Sequence, residues 1–248
     1  MSTPLSADDV PDAKGAGTGT STLRVVSYNV RAFKDDTEAL RRVIRRLDPD
    51  VLCLQEVPRH PFSGHRIAEF AASLGLYWAG GHRGRMSTTL FTALRVEVLA
   101  SGHRQLPVRR PDEPRGWAFA RLQLPGHQPI TAVSLHLSLR PAERPAHAAL
   151  LRQAAELGDD VPLVVAGDIN ETHQGKAWTE LSRELEDANG DVLTFPSRNP
   201  VKRIDAIFAS PQLRPVRPQV DLDEADLVAA TDHRPLFLDL DLSTLRRG

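Results

Sequence analysis

Val161-Pro-Leu-Val-Val-Ala-Gly-Asp168-Ile-Asn170 decides how the rest of the chain is read. Leu163, Val164, Val165 and Ala166 form an apolar, β-branched run of the kind found in a strand covered on both faces. The run stops at Gly167, and Asp168 and Asn170 follow. A buried strand that ends in a carboxylate and an amide carries two short, stiff polar groups to the rim of a core. Strand ends of that kind are where α/β proteins gather their chemistry. Taken alone, Asp and Asn after a strand are ordinary turn residues. A functional reading therefore requires other strands to end in the same way.

Several do. Leu23–Val30 is expected as a strand carrying Asn29 near its end, and Val51–Glu56 as an apolar run closed by a carboxylate. Between them, Asp35, Asp36 and Thr37 are N-cap candidates for a helix through Leu47, with Leu40, Val43, Ile44 and Leu47 on one face. His65–Leu74 reads as a short helix closed by Gly75. A strand-rich middle follows, with strands expected at Leu76–Ala79, Thr88–Leu94, Val96–Ser101, Trp117–Leu124 and Ile130–Leu137, the last carrying His136. Ala142–Leu157 and Lys176–Leu185 are expected helices, and Arg203–Ala209 is a strand with Asp205 near its start. Asp221–Asp226 reads as an acidic loop, and Asp232-His233 stands just before a last strand, Leu236–Leu240. Strands and helices alternating at both ends place the chain in the α/β class.

Composition narrows the function classes. The 248 residues are 41% hydrophobic and 25% charged, ordinary values for a globular protein able to bury a core without staples. Met1 to Thr22 lacks any hydrophobic period and is expected to be a disordered tail, leaving residues 23–248 as a single catalytic domain. The lone Cys53, inside Val51-Leu-Cys-Leu54, excludes an internal disulfide and a cysteine-based zinc site. No stretch is long and apolar enough to span a membrane and no secretory h-region opens the chain, so a cytoplasmic monomer is the expectation. Net charge is −1, without the basic excess of proteins that cling to nucleic acid.

Each polar strand end has a plain reading: Asn29 as a turn residue, Glu56 as a surface carboxylate, His136 as a core histidine, Asp205 as a buried hydrogen-bonding acid, Asp232-His233 as a turn. Their chemical coherence argues otherwise. Carboxylates and amide oxygens suit a hard divalent ion such as Mg²⁺, which keeps several waters, with Mn²⁺ as a substitute. Histidines beside them suit phosphate chemistry, where a cation neutralises charge and a base orients or activates water. The spacing fits no zinc motif, and a GxxxxGK[ST] loop is absent.

Ser-Tyr-Asn29-Val, Leu-Gln-Glu56-Val, Ser-Leu-His136-Leu, Gly-Asp168-Ile-Asn170, Arg-Ile-Asp205 and Thr-Asp232-His233-Arg-Pro, in that order, resemble the motif set of the endonuclease/exonuclease/phosphatase superfamily, the deoxyribonuclease I-like fold. The resemblance implies a four-layered α/β sandwich, with two mixed β-sheets face to face and helices outside. It also implies metal-dependent cleavage of a phosphate ester. Carried over by position, Glu56 resembles the principal Mg²⁺ ligand, with Asn29 and Asp232 beside it. Asp168 and Asn170 resemble the pair that positions water or leaving group and contacts the phosphate. His136 resembles the phosphate-binding histidine that can protonate the leaving oxygen, and His233 the catalytic histidine oriented by Asp205. Abasic-site endonucleases carry an acidic residue where this chain has Arg31 and a tyrosine where it has His136, which sets the chain apart from that subfamily.

The expected activity is therefore a Mg²⁺-dependent phosphoesterase, a phosphodiesterase in the first place, with a nuclease as one alternative and a catalytically inactive binding module on the same scaffold as another. Substrate choice is expected to lie in the loops His82–Arg85, Gln105–Gly116 and Asp187–Val201.

Overall fold

Two parallel strand pairs seed the architecture. β1 (Thr22–Asn29) and β2 (Val51–Gln55) pair in parallel, with α1 (Thr37–Leu47) as the crossover between them. β7 (Ile130–His136) and β8 (Leu163–Asp168) pair in the same way, with α3 (Arg144–Arg152) as their crossover. Around the first pair, β3 (Tyr77–Ala79), β4 (Thr89–Thr92), β11 (Arg214–Val216) and β12 (Leu236–Asp241) complete a six-stranded sheet in the order β11-β12-β1-β2-β4-β3. Around the second, β5 (Glu97–Leu106), β6 (Arg115–Gln123), β9 (Glu186–Asp187) and β10 (Asp205–Ala209) complete another, ordered β5-β6-β7-β8-β10-β9. All pairings other than the two seeds are antiparallel, so both sheets are mixed. This computed structural model describes residues 21–81, 85–158 and 160–247.

The alternation of side chains along each strand makes four layers. Leu23 and Val25 of β1, Val51 and Cys53 of β2, Val164 and Ala166 of β8, and Leu236, Leu238 and Leu240 of β12 share one core between the sheets. Val26, Tyr28, Leu52 and Leu54 face the other way, onto α1, α2 (Ser63–Ser73) and α5 (Glu224–Ala230). Val133, Leu135, Val165 and Phe208 pack on α3 and α4 (Lys176–Leu181). The strands are apolar on both faces because both faces are covered. This is the expected four-layered sandwich, and no helix among the described residues is long and apolar enough to cross a membrane.

Several boundaries differ from the sequence reading, each for a local reason. β5 runs five residues beyond the expected end, to Leu106, and β6 begins at Arg115, so the loop between them is residues 107–114. β5 is an edge strand paired only with β6, and its mostly polar residues hide the strand period. The expected helix Ala142–Leu157 is α3 followed by a separate 3-10 turn, Ala155–Leu157. Lys176–Leu185 stops at Leu181, after which Glu186 and Asp187 pair with β10. The acidic stretch Asp221–Asp226 is not all loop: Asp223 caps α5 by accepting the Asp226 amide, and Arg42 pairs with Asp226. Acidic residues there meet the positive end of a helix. Residues 1–20 of the expected tail lie outside the described residues, and Thr22 already belongs to β1. His82 and Arg83 of the expected basic loop lie outside them as well.

Candidate active site

In sheet order, one cross-strand row brings together residues far apart in sequence. Gly116 of β6 faces His136 of β7, His136 faces Asp168 of β8, and Asp168 faces Asp205 of β10. Gly167 sets the spacing of this row. A Cβ there would lie 1.9 Å from the Leu135 carbonyl oxygen, so only glycine lets β8 run this close to β7. The other sheet contributes from above: Asn29 closes β1, Glu56 follows β2, and Asp232-His233 lead into β12.

Asp168 is the hub. Its Oδ2 accepts from Asn29 Nδ2 at 3.0 Å and lies 3.6 Å from His136 Nε2 and 3.8 Å from His233 Nε2. Its Oδ1 accepts the Asn170 amide at 2.9 Å. Asn29 Nδ2 also donates to Glu56 Oε1 at 3.2 Å, and His136 Nε2 is 4.0 Å from that same oxygen. His233 Nδ1 donates to Asp205 Oδ2 at 2.9 Å, and the Phe195 ring packs 5.0 Å from the imidazole. Asn170 holds the rim through Nδ2, which donates to Leu137 O at 3.0 Å. Asp232 stands aside: its carboxylate meets Arg31 Nε at 3.5 Å and the Thr231 hydroxyl at 3.3 Å, and it is 37% exposed.

Burial sets the proton balance. The Asp168 side chain is 3% exposed, so desolvation, reinforced by Asp205 across the ladder, pushes its pKa up to about 7. His233 is buried too, which favours the neutral ring, but Asp205, Asp168 and Asp232 outweigh burial and raise it to about 10. His136 has no such support. Burial, with the positive charges of Arg115 and His233, holds it well below the usual histidine range, so the ring is neutral. Both of its ring nitrogens are buried without a hydrogen-bond partner among the described residues.

The backbone around Glu56 is in a costly conformation. Arg31, Ala32 and Phe33 all have positive φ, at 43°, 56° and 53°, and Glu56 has 53°. The Ala32 amide donates to Glu56 O at 2.6 Å, so the left-handed turn is docked on the peptide that aims the Glu56 carboxylate. Non-glycine residues in this region cost roughly 1–2 kcal/mol each. Strain of that size gathers where a side chain must be aimed.

A divalent cation fits the donor chemistry. Glu56, His136 and Asp168 offer ligand atoms all within 4.8 Å of one another, and so do Asp168, Asp205 and His233. Carboxylate oxygens dominate both groups, and the orphaned His136 nitrogens are polar atoms without a protein partner. Asn29 turns its NH₂ to the carboxylates, while its oxygen accepts the Arg31 amide at 3.1 Å. Of the eight residues singled out by sequence, the structure thus brings Asn29, Glu56, His136, Asp168, Asp205 and His233 into one cluster, with Asn170 at its edge and Asp232 on its outer side. It also adds residues that the sequence reading missed. Gln55 Nε2 donates to Ser134 Oγ at 3.1 Å, and Ser134 Oγ donates to Leu54 O at 2.8 Å, a polar seam joining the two sheets beneath the cluster. A glutamine closing an otherwise apolar strand was the available signal.

A family model described as the Endonuclease/Exonuclease/phosphatase family matches residues 26–233. The uncharacterized protein YbhP of Escherichia coli K12 is 28% identical over 235 residues, covering 82% of this chain and 87% of YbhP. Among solved structures, a mannosyl-6-phosphatase of Bacteroides thetaiotaomicron superposes with a TM-score of 0.71 at 20% identity, covering 88% of this chain and 99% of that one. The D. rerio TDP2 structure complexed with single-strand DNA product gives 0.69 at 18% identity, covering 89% and 99%. At such identities the two structures establish a common fold.

Proposed function

Because this chain belongs to the endonuclease/exonuclease/phosphatase family, we propose that it is a Mg²⁺-dependent phosphoesterase acting on phosphodiesters, with Mn²⁺ able to substitute. The observation that carries the reading is the Asp168 hub, whose carboxylate accepts the Asn29 amide and lies 3.6 Å and 3.8 Å from the His136 and His233 imidazole nitrogens. A catalytically inactive scaffold has no physical reason to keep Asp168 and Asp205 opposed in a sealed row, because like charges facing each other across a ladder are destabilising.

In this reading Glu56, with Asn29 and Asp232 nearby, would hold the cation. The cation would supply charge neutralisation at the phosphoryl oxygens and polarise the phosphorus toward attack. Asp168, with a pKa near neutrality, is matched to take a proton from water as the water oxygen bonds to phosphorus. Asn170 holds Asp168 through its amide and stands at the rim, where the phosphate would sit. His233, kept protonated and aligned by Asp205, offers Nε2–H to the charge that builds on the phosphoryl group. His136, held neutral, donates a hydrogen bond without adding charge, and Asp168, protonated by the water, would give that proton up to the departing alcohol, which restores its carboxylate.

The test is a panel of small phosphomonoesters and phosphodiesters, plasmid DNA and RNA, assayed with Mg²⁺, Mn²⁺ and EDTA. Glu56→Gln keeps the shape and removes the charge, and activity should fall at least ~10²-fold, the scale of losing one electrostatic stabiliser. Full activity of that variant, or in excess EDTA, would remove the metal assignment. Small diesters should be turned over at least as well as plasmid, because tight hold on a long duplex needs many phosphate contacts and weakens with log affinity falling about 0.9 per contact per log unit of salt. A net charge of −1 does not provide such a surface. Rapid nicking of plasmid at physiological salt, with no turnover of small esters, would make the chain a nuclease instead.

A further inference from the structure

The loop that leaves Glu56 gathers positive charge without a counter-charge. Between Glu56 and Glu97 the sequence has five arginines and one acid, Glu69. Three of those arginines flank the start of α2. Arg85 reaches into the loop, donating to Pro58 O at 2.7 Å and to Ser63 Oγ at 2.9 Å. Arg66 donates to Phe33 O at 2.9 Å, with its guanidinium 5.4 Å from the centre of the Phe33 ring. Arg59 is exposed. None of the three forms an ion pair among the described residues, whereas Arg42, Arg95 and Arg140 each meet a carboxylate. Burial, and then the like charge of Arg59, lower the Arg85 pKa to about 10, so both guanidiniums stay charged side by side.

Phe62 stands within this charge. It is 93% exposed and leads into α2 from a left-handed conformation, φ 68°, which a bulky residue adopts at a cost. A large apolar side chain held out in water on a costly backbone contributes nothing to the core. Strand pairing fixes which end of the fold it occupies. Through Thr92, Tyr77 at the start of β3 is level with Val51 at the start of β2, so α2 runs back from the end of β2 that carries Glu56. Phe62 therefore lies at the active-site end. The other rims of the site carry apolar tips too. Leu139, 64% exposed, follows His136 by three residues. Val201, 68% exposed, donates its amide to Phe195 O, beside the ring that packs on His233.

We propose that this rim docks the protein on an anionic lipid bilayer, with Phe62 entering the head-group boundary and the charges of Arg59, Arg66 and Arg85 facing the lipid phosphates. The proposal rests on the phosphoesterase reading above and narrows its substrate to phosphate esters of lipid head groups presented at that surface. An apolar tip in a basic collar gains from both parts of such a surface, acyl carbon for the ring and anionic phosphate for the arginines. Leu139 and Val201 separate this partner from a nucleic acid, because bases stack on flat rings and neither residue has one. The net charge of −1 is no obstacle, since attraction to a charged surface acts within about a Debye length, ~10 Å, of the patch that meets it.

The experiment sediments the whole protein with vesicles of phosphatidylcholine alone or mixed with phosphatidylserine, at low and at physiological salt. The protein should bind the anionic vesicles and be released as salt rises. Phe62→Ser should weaken binding about 10-fold through the lost apolar contact, and Arg59→Gln about fivefold through the lost charge. Leu94→Ser is the control: Leu94 is 86% exposed but follows β4 at the opposite end of the sheet, so binding should not change. Hydrolysis of a soluble diester should be the same in all three variants, whereas hydrolysis of vesicle lipid should fall with binding. Binding untouched by Phe62→Ser, or weakened as much by Leu94→Ser, overturns the proposal. So does a Phe62→Ser loss confined to single-stranded oligonucleotides, which makes the rim a nucleic-acid surface. Phe62-dependent binding with turnover of soluble esters alone removes the lipid substrate. Phe62-dependent binding without turnover of any ester supports the docking and sinks the phosphoesterase reading, and turnover of soluble esters by a protein that ignores vesicles does the reverse.

Discussion

The two sheets contribute to the site in the same topological way but under opposite physical conditions. Each supplies residues at the carboxyl ends of its parallel pair, Asn29 and Glu56 from one and His136 and Asp168 from the other. Each adds more where an antiparallel neighbour begins, Asp232-His233 before β12 and Asp205 at the start of β10. The carboxylates of the first sheet are wet: Glu56 is 34% exposed, and Asp232 is open to solvent and to Arg31. Those of the second, Asp168 and Asp205, are sealed, and Asp168 is strongly perturbed. A hydrated hard cation can reach the first pair without stripping all its water, whereas groups that must hold or pass a proton gain from the dry side. The difference teaches that one rim can separate cation capture from proton handling by burial alone.

The largest effect should come from the dry side. His233 and Asp205 share one hydrogen bond and are expected to act as a unit. His233→Ala should lower kcat by roughly 10²–10³-fold, the range for losing one charge-stabilising donor. Combining it with Asp205→Ala should cost little more, because effects within a unit do not add. Independent, multiplying defects in the double variant would break the pairing.

A smaller effect tests the boundary between the two sides. Asp168 belongs to the dry row yet lies within the same ligand cluster as Glu56. Its folded pKa, raised to about 7, means that a proton and a cation compete for it. Below that pH the proton must be displaced, so cation affinity should rise with pH, by up to about tenfold per unit, and level off above it. Calorimetry in buffers of different ionisation enthalpy should show proton release on binding near pH 6 and little near pH 8. Affinity independent of pH across that window would confine the cation to the wet side.

Much of this was legible before any coordinates, because polar residues closing apolar runs are visible in sequence. Asn29, Asp168 and Asp205 stand where a strand pattern breaks, and the structure places all three at strand termini of the cluster. What was not legible depends on partners distant in the chain. Arg115 reads as one more loop arginine until β7 brings Leu137 against it, 22 residues away. Asp223 reads as solvated charge until α5 forms behind it. Gln55 gains its meaning only from Ser134, across the sheets. The left-handed run Arg31–Phe33 contains no glycine or asparagine to announce it. Local pattern reveals where chemistry can gather; the balance of charge and strain there is set by contacts that no window of sequence contains.

That left-handed run supplies the finest test of the contrast, since strain belongs chiefly to the wet side. Glu56 and the turn docked on it are left-handed throughout, whereas on the dry side the left-handed site residue is Asn170, a type that tolerates the region. Ala32 has φ 56° and donates its amide to Glu56 O. Ala32→Gly should relieve roughly 1–2 kcal/mol of backbone strain. Against that stands about 0.4–1 kcal/mol of extra chain entropy in the unfolded state. The net gain is then about 1 kcal/mol or less, a rise in melting temperature of roughly 2–4 °C at most for a chain of this size. Ala206→Gly, in the buried and extended middle of β10, is the control, and it should be destabilising because no strain is there to relieve. The freer turn should also loosen the aim of Glu56, showing as weaker cation binding in a protein that melts higher. Equal losses of stability in both variants would mean that the Glu56 turn stores no strain, leaving exposure as the only distinction between the two halves of the site.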